Sequence, residues 1–115
     1  MVEDAINAWH DAVNRRDLDA ARAAVTDPVD VSGPRGAGPI TADAFAEWVT
    51  RSGIALRAVS WHPAGADAMV VEQDADWGGG AAARVATLFR VRGGRVAVAH
   101  RFGSLTEALA SAQEG

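Results

Sequence analysis

Three carboxylates stand at every second position in the stretch VEQDADWGGG, residues 71–80: Glu72, Asp74 and Asp76. In a β-strand this spacing places all three side chains on one face of the sheet, because successive side chains point to opposite sides. Clustered carboxylates inside a pocket can transfer protons or hold a cation. The same residues on the outside of a sheet form an ordinary charged surface, so the strand facing them decides between the two interpretations.

The glycines at 78–80 predict a connection that sets this strand antiparallel to the next one, with Asp76 opposite Arg84. The other face of this hairpin is apolar and is therefore expected to meet the helices. It carries Met69, Val71, Gln73, Ala75 and Trp77, which face Ala83, Val85, Thr87, Phe89 and Val91. The carboxylates are then expected on the outer face, solvated or facing another subunit, whereas a slip of one residue would turn them inward.

A polar pair interrupts the apolar face, because Gln73 and Thr87 are expected to lie opposite each other, and buried polar groups need partners. The following strand supplies a third polar residue, whose identity depends on the turn at Gly93-Gly94. A plain two-residue turn brings His100 inward, and hydrophobicity favours this register. A glycine bulge shifts the pairing by one residue and brings Arg101 inward instead.

The two registers predict different chemistry for this polar row. Arg101 would bind a carboxylate or another anionic group, because a guanidinium holds such groups bidentately. His100 would transfer protons, with an ordinary pKa near 6.5. A core network that is satisfied internally is the third interpretation of the row.

The elements that position these residues follow from the hydrophobic periodicity. Ile6, Trp9 and Val13 form a helical stripe in the first helix, and Phe45, Trp48 and Val49 form one in a later helix. The remaining aromatic and imidazole side chains are expected nearer the surface: Trp61 and Trp77 at strand ends near a rim, and His10 and His62 exposed to solvent.

The predicted order is two helices, a short strand over 29–32, a loop over 33–39, a helix over 42–52, four strands and a last helix. The four strands are expected near 54–62, 67–77, 82–92 and 95–103, and the last helix begins after the capping box Ser104–Glu107. This order predicts an α+β domain in which helices pack on one face of a curved antiparallel sheet.

Composition limits the function classes. The 115 residues make one domain, 1–115, and the net charge of −4 gives no reason to expect nucleic acid or an anionic membrane as a partner. The chain has no cysteine, and its three histidines lie on different elements, so neither a metal nor a cofactor is expected. The N-terminus lacks the features of a signal peptide and no apolar run is long enough to span a membrane, so a cytoplasmic protein is expected.

Three stretches together resemble the nuclear transport factor 2-like superfamily, which includes the SnoaL-like proteins: AINAWHDAVNRRDLDAARAAVTDPVDVSGPRG, TADAFAEWV and RVRGGRVAVAHRFGSLTEALA. The resemblance covers nearly the whole chain and implies a cone, in which a bent sheet wraps around the N-terminal helices and leaves a pocket open at one end. It also implies a homodimer through the outer sheet face, where Val70 and Leu88 are expected. The candidate pocket residues are Trp9, Val13, Trp48, Gln73, Trp77, Thr87, Phe89, His100 and Arg101.

The resemblance extends to several enzymes whose residues can be compared one at a time. By this resemblance, Trp9 stands where ketosteroid isomerases have a tyrosine, a position near Gly33 is where they have a general-base aspartate, and Thr87 stands where they have a protonated aspartic acid. The chain has none of these three groups at those positions, so ketosteroid isomerase chemistry is not expected. The catalytic carboxylate of limonene epoxide hydrolases maps onto Arg101, which favours Arg101 as the inward residue. Polyketide cyclase chemistry needs an acid or base in the pocket, and His100 is the residue that qualifies.

The expected function is therefore binding of a small apolar or anionic organic molecule in the cone of a SnoaL-like protein. Two alternatives stay open. One is an enzyme of the isomerase, polyketide cyclase, dehydratase or hydrolase type that uses His100 or Arg101. The other is a dimeric assembly module that takes no ligand.

Overall fold

The computed structural model of the chain describes residues 2–33, 36–76 and 82–114. The helices of this part are α1 (Val2–Arg15), α2 (Leu18–Ala24), α3 (Ala42–Ser52) and α4 (Leu105–Glu114). The strands are β1 (Val25–Gly33), β2 (Gly36–Ile40), β3 (Ala55–Gly65), β4 (Ala68–Asp76), β5 (Ala83–Arg92) and β6 (Arg95–Phe102). The fold class is the expected α+β class.

The helix ends follow the capping residues of the sequence. Asp17 caps α2 by accepting a hydrogen bond from the backbone of Ala20 at 3.1 Å, and Thr41 caps α3 in the same way. Gly53 ends α3 with a φ of 66°, the left-handed conformation that glycine adopts without strain. Ser104 accepts from the backbone N–H of Glu107 at 3.2 Å and so caps α4 through one of the two hydrogen bonds of the predicted capping box.

The six strands form one sheet in the order β2-β1-β6-β5-β4-β3. The prediction of a wholly antiparallel sheet is wrong at one place, because β1 and β6 pair in parallel. The chain leaves β1 through β2 and α3, enters the sheet again at the far edge, and returns strand by strand until β6 lies beside β1. Parallel neighbours need such a long crossover, whereas β3 and β4, and likewise β5 and β6, are joined by two-residue turns.

The predicted loop over 33–39 is a second correction, since β2 pairs with β1 from Gly36↔Gly33 to Ile40↔Val29. Glycine and proline argue against a strand, but β2 is at the edge of the sheet. In the described sheet β2 has a neighbouring strand only on the side of β1, so Pro39, which lies opposite Asp30, interrupts no hydrogen bonds to a further strand.

The two faces of the sheet are both covered by helices. On the inner face, defined by Val71, Gln73, Thr87 and Phe89, the sheet packs against α1, α2 and α3. On the outer face, Val70 and Leu88 lie buried under α4, which contacts β4, β5 and β6 through its apolar stripe. The expectation of helices on one face only is therefore wrong. Val70 and Leu88, which were expected at a dimer interface, are covered within the monomer.

The turn at Gly93-Gly94 is the plain two-residue turn, with φ of 61° and 78° at the two glycines. One residue further, however, Ala97 is an extra residue in β6, because Val91 pairs with Val96 and Arg90 pairs with Val98. This bulge reverses the alternation of the rest of β6. Arg101 consequently lies opposite Thr87 on the inner face.

Candidate functional site

A continuous row of polar side chains crosses the inner face. Thr87 Oγ1 donates to Gln73 Oε1 at 2.6 Å, and Gln73 Nε2 lies 2.8 Å from His10 Nε2. His10 Nδ1 in turn lies 2.9 Å from the backbone oxygen of Ile6, one turn earlier in α1. Together with Arg101, which pairs with Thr87 across β5 and β6, these residues are the polar row His10–Gln73–Thr87–Arg101.

The predicted register of β4 and β5 is displaced by two residues, because Gln73 faces Val85 and Val71 faces Thr87. A displacement of two residues leaves every side chain on its predicted face. Gln73 and Thr87 are therefore diagonal neighbours, and the long amide side chain still reaches the hydroxyl.

His10 is the residue that sequence reasoning placed wrongly, since it was expected at the surface and is only 6 % exposed. A signal was available: Ile6, His10 and Val13 are spaced i, i+4 and i+7, which is one face of a helix. Trp9 occupies the neighbouring position of the same face, and the two rings meet edge to face with centroids 5.1 Å apart.

The hydrogen bonds of His10 define its protonation. The Ile6 carbonyl can only accept, so Nδ1 carries the hydrogen, and Nε2 of the neutral ring accepts from the Gln73 amide. Burial holds the pKa of His10 below its ordinary value of 6.5, although the bond to Ile6 and the nearby Asp11 act in the opposite direction. A ring kept neutral by burial, with both nitrogens hydrogen-bonded, is a structural member of the row.

Arg101 ends the row at a position where the side chain is half-buried. Burial lowers the pKa of its guanidinium from the ordinary value, which is the direction expected for a cation that has lost part of its water. An arginine remains protonated under all ordinary conditions, so its charge stays on the inner face.

Trp9 adds a second donor to the interior. Its side chain is 5 % exposed and packs edge to face on Phe89, with ring centroids 5.0 Å apart. Within the part of the chain that the structure describes, the indole Nε1–H has no hydrogen-bond acceptor. A buried donor without a partner costs free energy, so native proteins rarely retain one.

The other candidate pocket residues divide into three groups. Val13 and Phe89 are fully buried in the core, and Trp48 is half-buried and stacks on Phe45 at 6.1 Å. His100 lies on the outer face opposite Leu88, because of the bulge at Ala97, so the register with His100 inward is not the one the structure has. Trp77, together with the glycines that follow it, lies outside the described residues.

The carboxylates at alternate positions of β4 lie on the outer face, as predicted, but Asp74 rather than Asp76 is opposite Arg84. Arg84 Nε donates to Asp74 at 2.6 Å and Arg57 donates to the same carboxylate at 3.0 Å. These two hydrogen bonds, that of Arg84 first, hold the pKa of Asp74 below its ordinary value of 3.8. Asp74 is therefore an ionised member of a surface charge network.

Glu72 belongs to the same outer network. Its carboxylate accepts from Ser60 Oγ at 3.1 Å, and Ser60 Oγ also lies 2.8 Å from His62 Nε2. Because the hydroxyl gives its hydrogen to Glu72, His62 Nε2 is the donor in the second contact, and Ser60 is not poised as a nucleophile. Among the described residues, no group of three or more His, Asp or Glu side chains could hold a metal ion, and no helix is long and apolar enough to cross a membrane.

No family model and no curated protein matches the chain. Solved structures do match it. An NTF2-like protein of unknown function from Cytophaga hutchinsonii aligns with a TM-score of 0.79 at 13% identity, over 89% of this chain and 88% of that one. A hypothetical protein from Catenulispora acidiphila with a ketosteroid isomerase-like fold, in complex with trimethylamine, aligns with a TM-score of 0.72 at 18% identity, over 96% and 92%.

A third similar structure is a computationally designed 17-OHP binder, with a TM-score of 0.72 at 16% identity over 89% of each chain. At these identities the similarity establishes the fold and leaves the chemistry to the residues themselves. The chain has the NTF2-like fold that the sequence resemblance implies.

Proposed function

We propose that this chain, which has the NTF2-like fold, binds a small organic molecule with a carboxylate or another anionic group at the Arg101 end of the polar row. The observation that carries the proposal is the half-buried guanidinium on the inner face, directly opposite Thr87. A guanidinium binds a carboxylate through two parallel hydrogen bonds, and such bonds are stronger than those between neutral groups.

Partial burial of Arg101 supports the proposal energetically. Attraction between unit charges increases as the effective dielectric constant falls, so a guanidinium away from bulk water attracts an anion more strongly than one on the surface. Val85, a half-buried apolar residue of the inner face, would contact the rest of the ligand.

The composition of the core favours binding over catalysis. The buried polar residues of the described chain are His10, Gln73 and Thr87, and none of them is a carboxylate. Both nitrogens of His10 are engaged, so the ring has no free position from which to move a proton. An enzyme of the isomerase, cyclase, dehydratase or hydrolase type would need an acid or base that this row does not supply.

Two structural neighbours support the binding of a small molecule as such. One forms a complex with trimethylamine and another was designed to bind 17-OHP. These neighbours are only 18% and 16% identical to this chain, so the anionic group is inferred from Arg101 alone.

The proposal is tested by a thermal-shift panel of aromatic, terpenoid and polyketide-like carboxylic acids, each run beside its neutral amide. A ligand at a hundred times its dissociation constant adds about 2.7 kcal/mol, which raises the melting temperature of a domain of this size by several degrees. We expect acids, and not amides, to stabilise the wild-type protein.

Three variants make the result specific to the site. Arg101→Ala should abolish the shift, Arg101→Lys should weaken it because an ammonium lacks the bidentate fork, and Arg95→Ala should preserve it because Arg95 is exposed on the same strand. Acids that stabilise Arg101→Ala as much as the wild type, or a panel without any stabilising acid, would contradict the proposal.

A further inference from the structure

The edge strand β3 has backbone groups to which another chain could add a strand. We infer that this edge is closed to a second copy of the chain, and that Val59, an extra residue in the middle of β3, is the residue that closes it. The inference concerns self-association through the sheet edge and is independent of any ligand at Arg101.

The two edge strands of the described sheet differ in length. β2 has five residues and contains Pro39, and a short edge strand with a proline offers little backbone for pairing. β3 has eleven residues and pairs only with β4. A long unprotected edge is a template on which another chain can add a strand, so β3 is the edge that needs protection.

The contact with Asn14 identifies which backbone groups of β3 point away from β4. Leu56 donates its N–H to Asn14 Oδ1, and its carbonyl accepts from Asn14 Nδ2, both at 2.8 Å. Leu56 is therefore an edge-facing residue, whose two backbone groups point to the open side of β3. Because this direction alternates along an antiparallel pair, the residues opposite every second position of β4 are edge-facing as well. Leu56 lies opposite Ala75, and the residues opposite Gln73, Val71 and Met69 are Ala58, Trp61 and Pro63.

The bulge at Val59 disturbs the spacing of these edge-facing residues. Ala58 lies opposite Gln73 and Ser60 lies opposite the next residue of β4, so Val59 is an extra residue between them. Ala58 and Trp61 are consequently three positions apart, whereas a regular strand presents its groups on one side at every second residue. A strand that pairs in register with Ala58 cannot continue to Trp61.

Both ends of the edge are closed by other means. At one end α1 covers Leu56, which is 6 % exposed and has both backbone groups bound to Asn14. At the other end Pro63 has no N–H to donate. The edge-facing residues that remain are Ala58 and Trp61, which the bulge separates.

The side chain of Val59 supplies no core contact that would explain its position. It is 41 % exposed, whereas the other valines of the described chain are buried or half-buried. The position therefore acts through the backbone, by the extra residue that it adds to β3.

Deletion of Val59 tests the inference, because the other residues of β3 can keep their partners on β4 and their faces of the sheet. The edge-facing residues from Ala58 to Pro63 would then stand at every second position. In sedimentation velocity, we expect the mass of the deletion variant to rise above that of the wild type, toward double, as the concentration increases from micromolar to millimolar.

Two further variants show whether the backbone edge is responsible. Val59→Thr keeps the bulge and removes the exposed apolar side chain, so it should behave as the wild type. Ala58→Pro, added to the deletion variant, removes an edge-facing N–H and should restore the wild-type mass, because a proline there leaves the pairing with β4 intact. A folded deletion variant that keeps the wild-type mass at every concentration, or association that Ala58→Pro does not reduce, would overturn the inference.

Amide hydrogen exchange of the wild-type protein tests the edge without any variant. The N–H of Leu56 should exchange slowly because it is bound to Asn14, and those of Ala58 and Trp61 should exchange rapidly at every protein concentration. Exchange at Ala58 and Trp61 that slows as the concentration rises would mean that the edge already pairs with a second copy. That result would overturn the inference even if the deletion variant did not fold.

Discussion

At the scale of single residues, the neutral histidine in the core links stability to pH. Burial is the main cause that holds the pKa of His10 below 6.5, and the row around it is arranged for a ring that accepts at Nε2. In the unfolded chain the same imidazole is solvated and titrates near its ordinary value. The two states therefore bind different numbers of protons in the interval between the two pKa values.

The sign of the effect follows from proton linkage. Between the folded pKa and 6.5 the unfolded chain holds a proton that the folded chain lacks, so the free energy of unfolding decreases as the pH falls through this interval. Above 6.5 both states are neutral and the contribution of His10 is constant. We expect urea unfolding from about pH 7.5 to pH 5 to show stability decreasing below 6.5.

His10→Gln provides the comparison for that experiment, because it keeps polar atoms in the position and removes the titration. The variant should lose the part of the pH dependence that belongs to the interval below 6.5. Asp74 does not interfere with this comparison. Because its pKa is lowered in the folded state, its contribution to the free energy of unfolding is lost only as the pH falls below the ordinary pKa of 3.8. Identical pH dependence in the wild type and the variant would contradict the assignment.

At the scale of elements, one side chain attaches α1 to the edge of the sheet. Asn14 donates from Nδ2 to the carbonyl of Leu56 and accepts at Oδ1 from its N–H, both at 2.8 Å. Leu56 is on β3, the last strand of the sheet, so the Asn14 amide takes the place that another strand would have. Because His10 is one turn earlier on α1, this contact also aligns the polar row.

Asn14→Ala should lower the free energy of unfolding by about 1–3 kcal/mol, since it leaves two backbone groups of a buried residue without partners. Asn7→Ala is the matched control, because Asn7 is exposed on the same helix, and should change stability by no more than about 0.5 kcal/mol. Urea unfolding of the two variants measures both effects. Equal stability of the two would contradict the role given to Asn14.

The hydrophobic periodicity of the sequence predicts the faces of the elements better than their exact pairing. Alternation along β4 and β5 identified Gln73 and Thr87 as inward and the carboxylates as outward, and both placements are confirmed. The register itself is displaced by two residues, because a glycine-rich connection does not specify how many residues it takes from each strand.

Two features had no comparable signal in the sequence. The bulge at Ala97 is one extra residue in a run of small and apolar residues, VAVA, and any of them could have carried it. The strand β2 is held by backbone pairing to β1, and its glycine- and proline-containing sequence does not predict a strand. The position of Arg101 depends on the first of these, so the site was predicted as two alternatives.

At the scale of the whole molecule, α4 covers the apolar part of the outer sheet face. Ala108 is fully buried there, between α4 and the strands that carry Val70 and Leu88. The homodimer through the outer face stays a prediction, and it would have to use surface other than these two residues. Arg57 and Arg84, with the carboxylate that they share, mark a charged and exposed part of that face.

Ala108→Glu should detach α4, because it places a charge in the apolar contact, and should cost more than about 2 kcal/mol of stability. Ala110→Glu, on the exposed side of the same helix, should cost no more than about 0.5 kcal/mol. Light scattering beside urea unfolding would also detect self-association of the uncovered face. Two variants of equal stability would show that α4 is not held to the sheet.

The proposed role of Arg101 is to bind the anionic group of a small ligand on the inner face. The measurement that tests it most directly is an NMR titration of arginine Nε–H signals with phenylacetate and, separately, with the neutral phenylacetamide. We expect a saturable shift of the Arg101 signal with the acid, little response to the amide, and no change at exposed arginines such as Arg95. An acid that shifts all arginine signals alike without saturation, or leaves that of Arg101 unmoved, would contradict it.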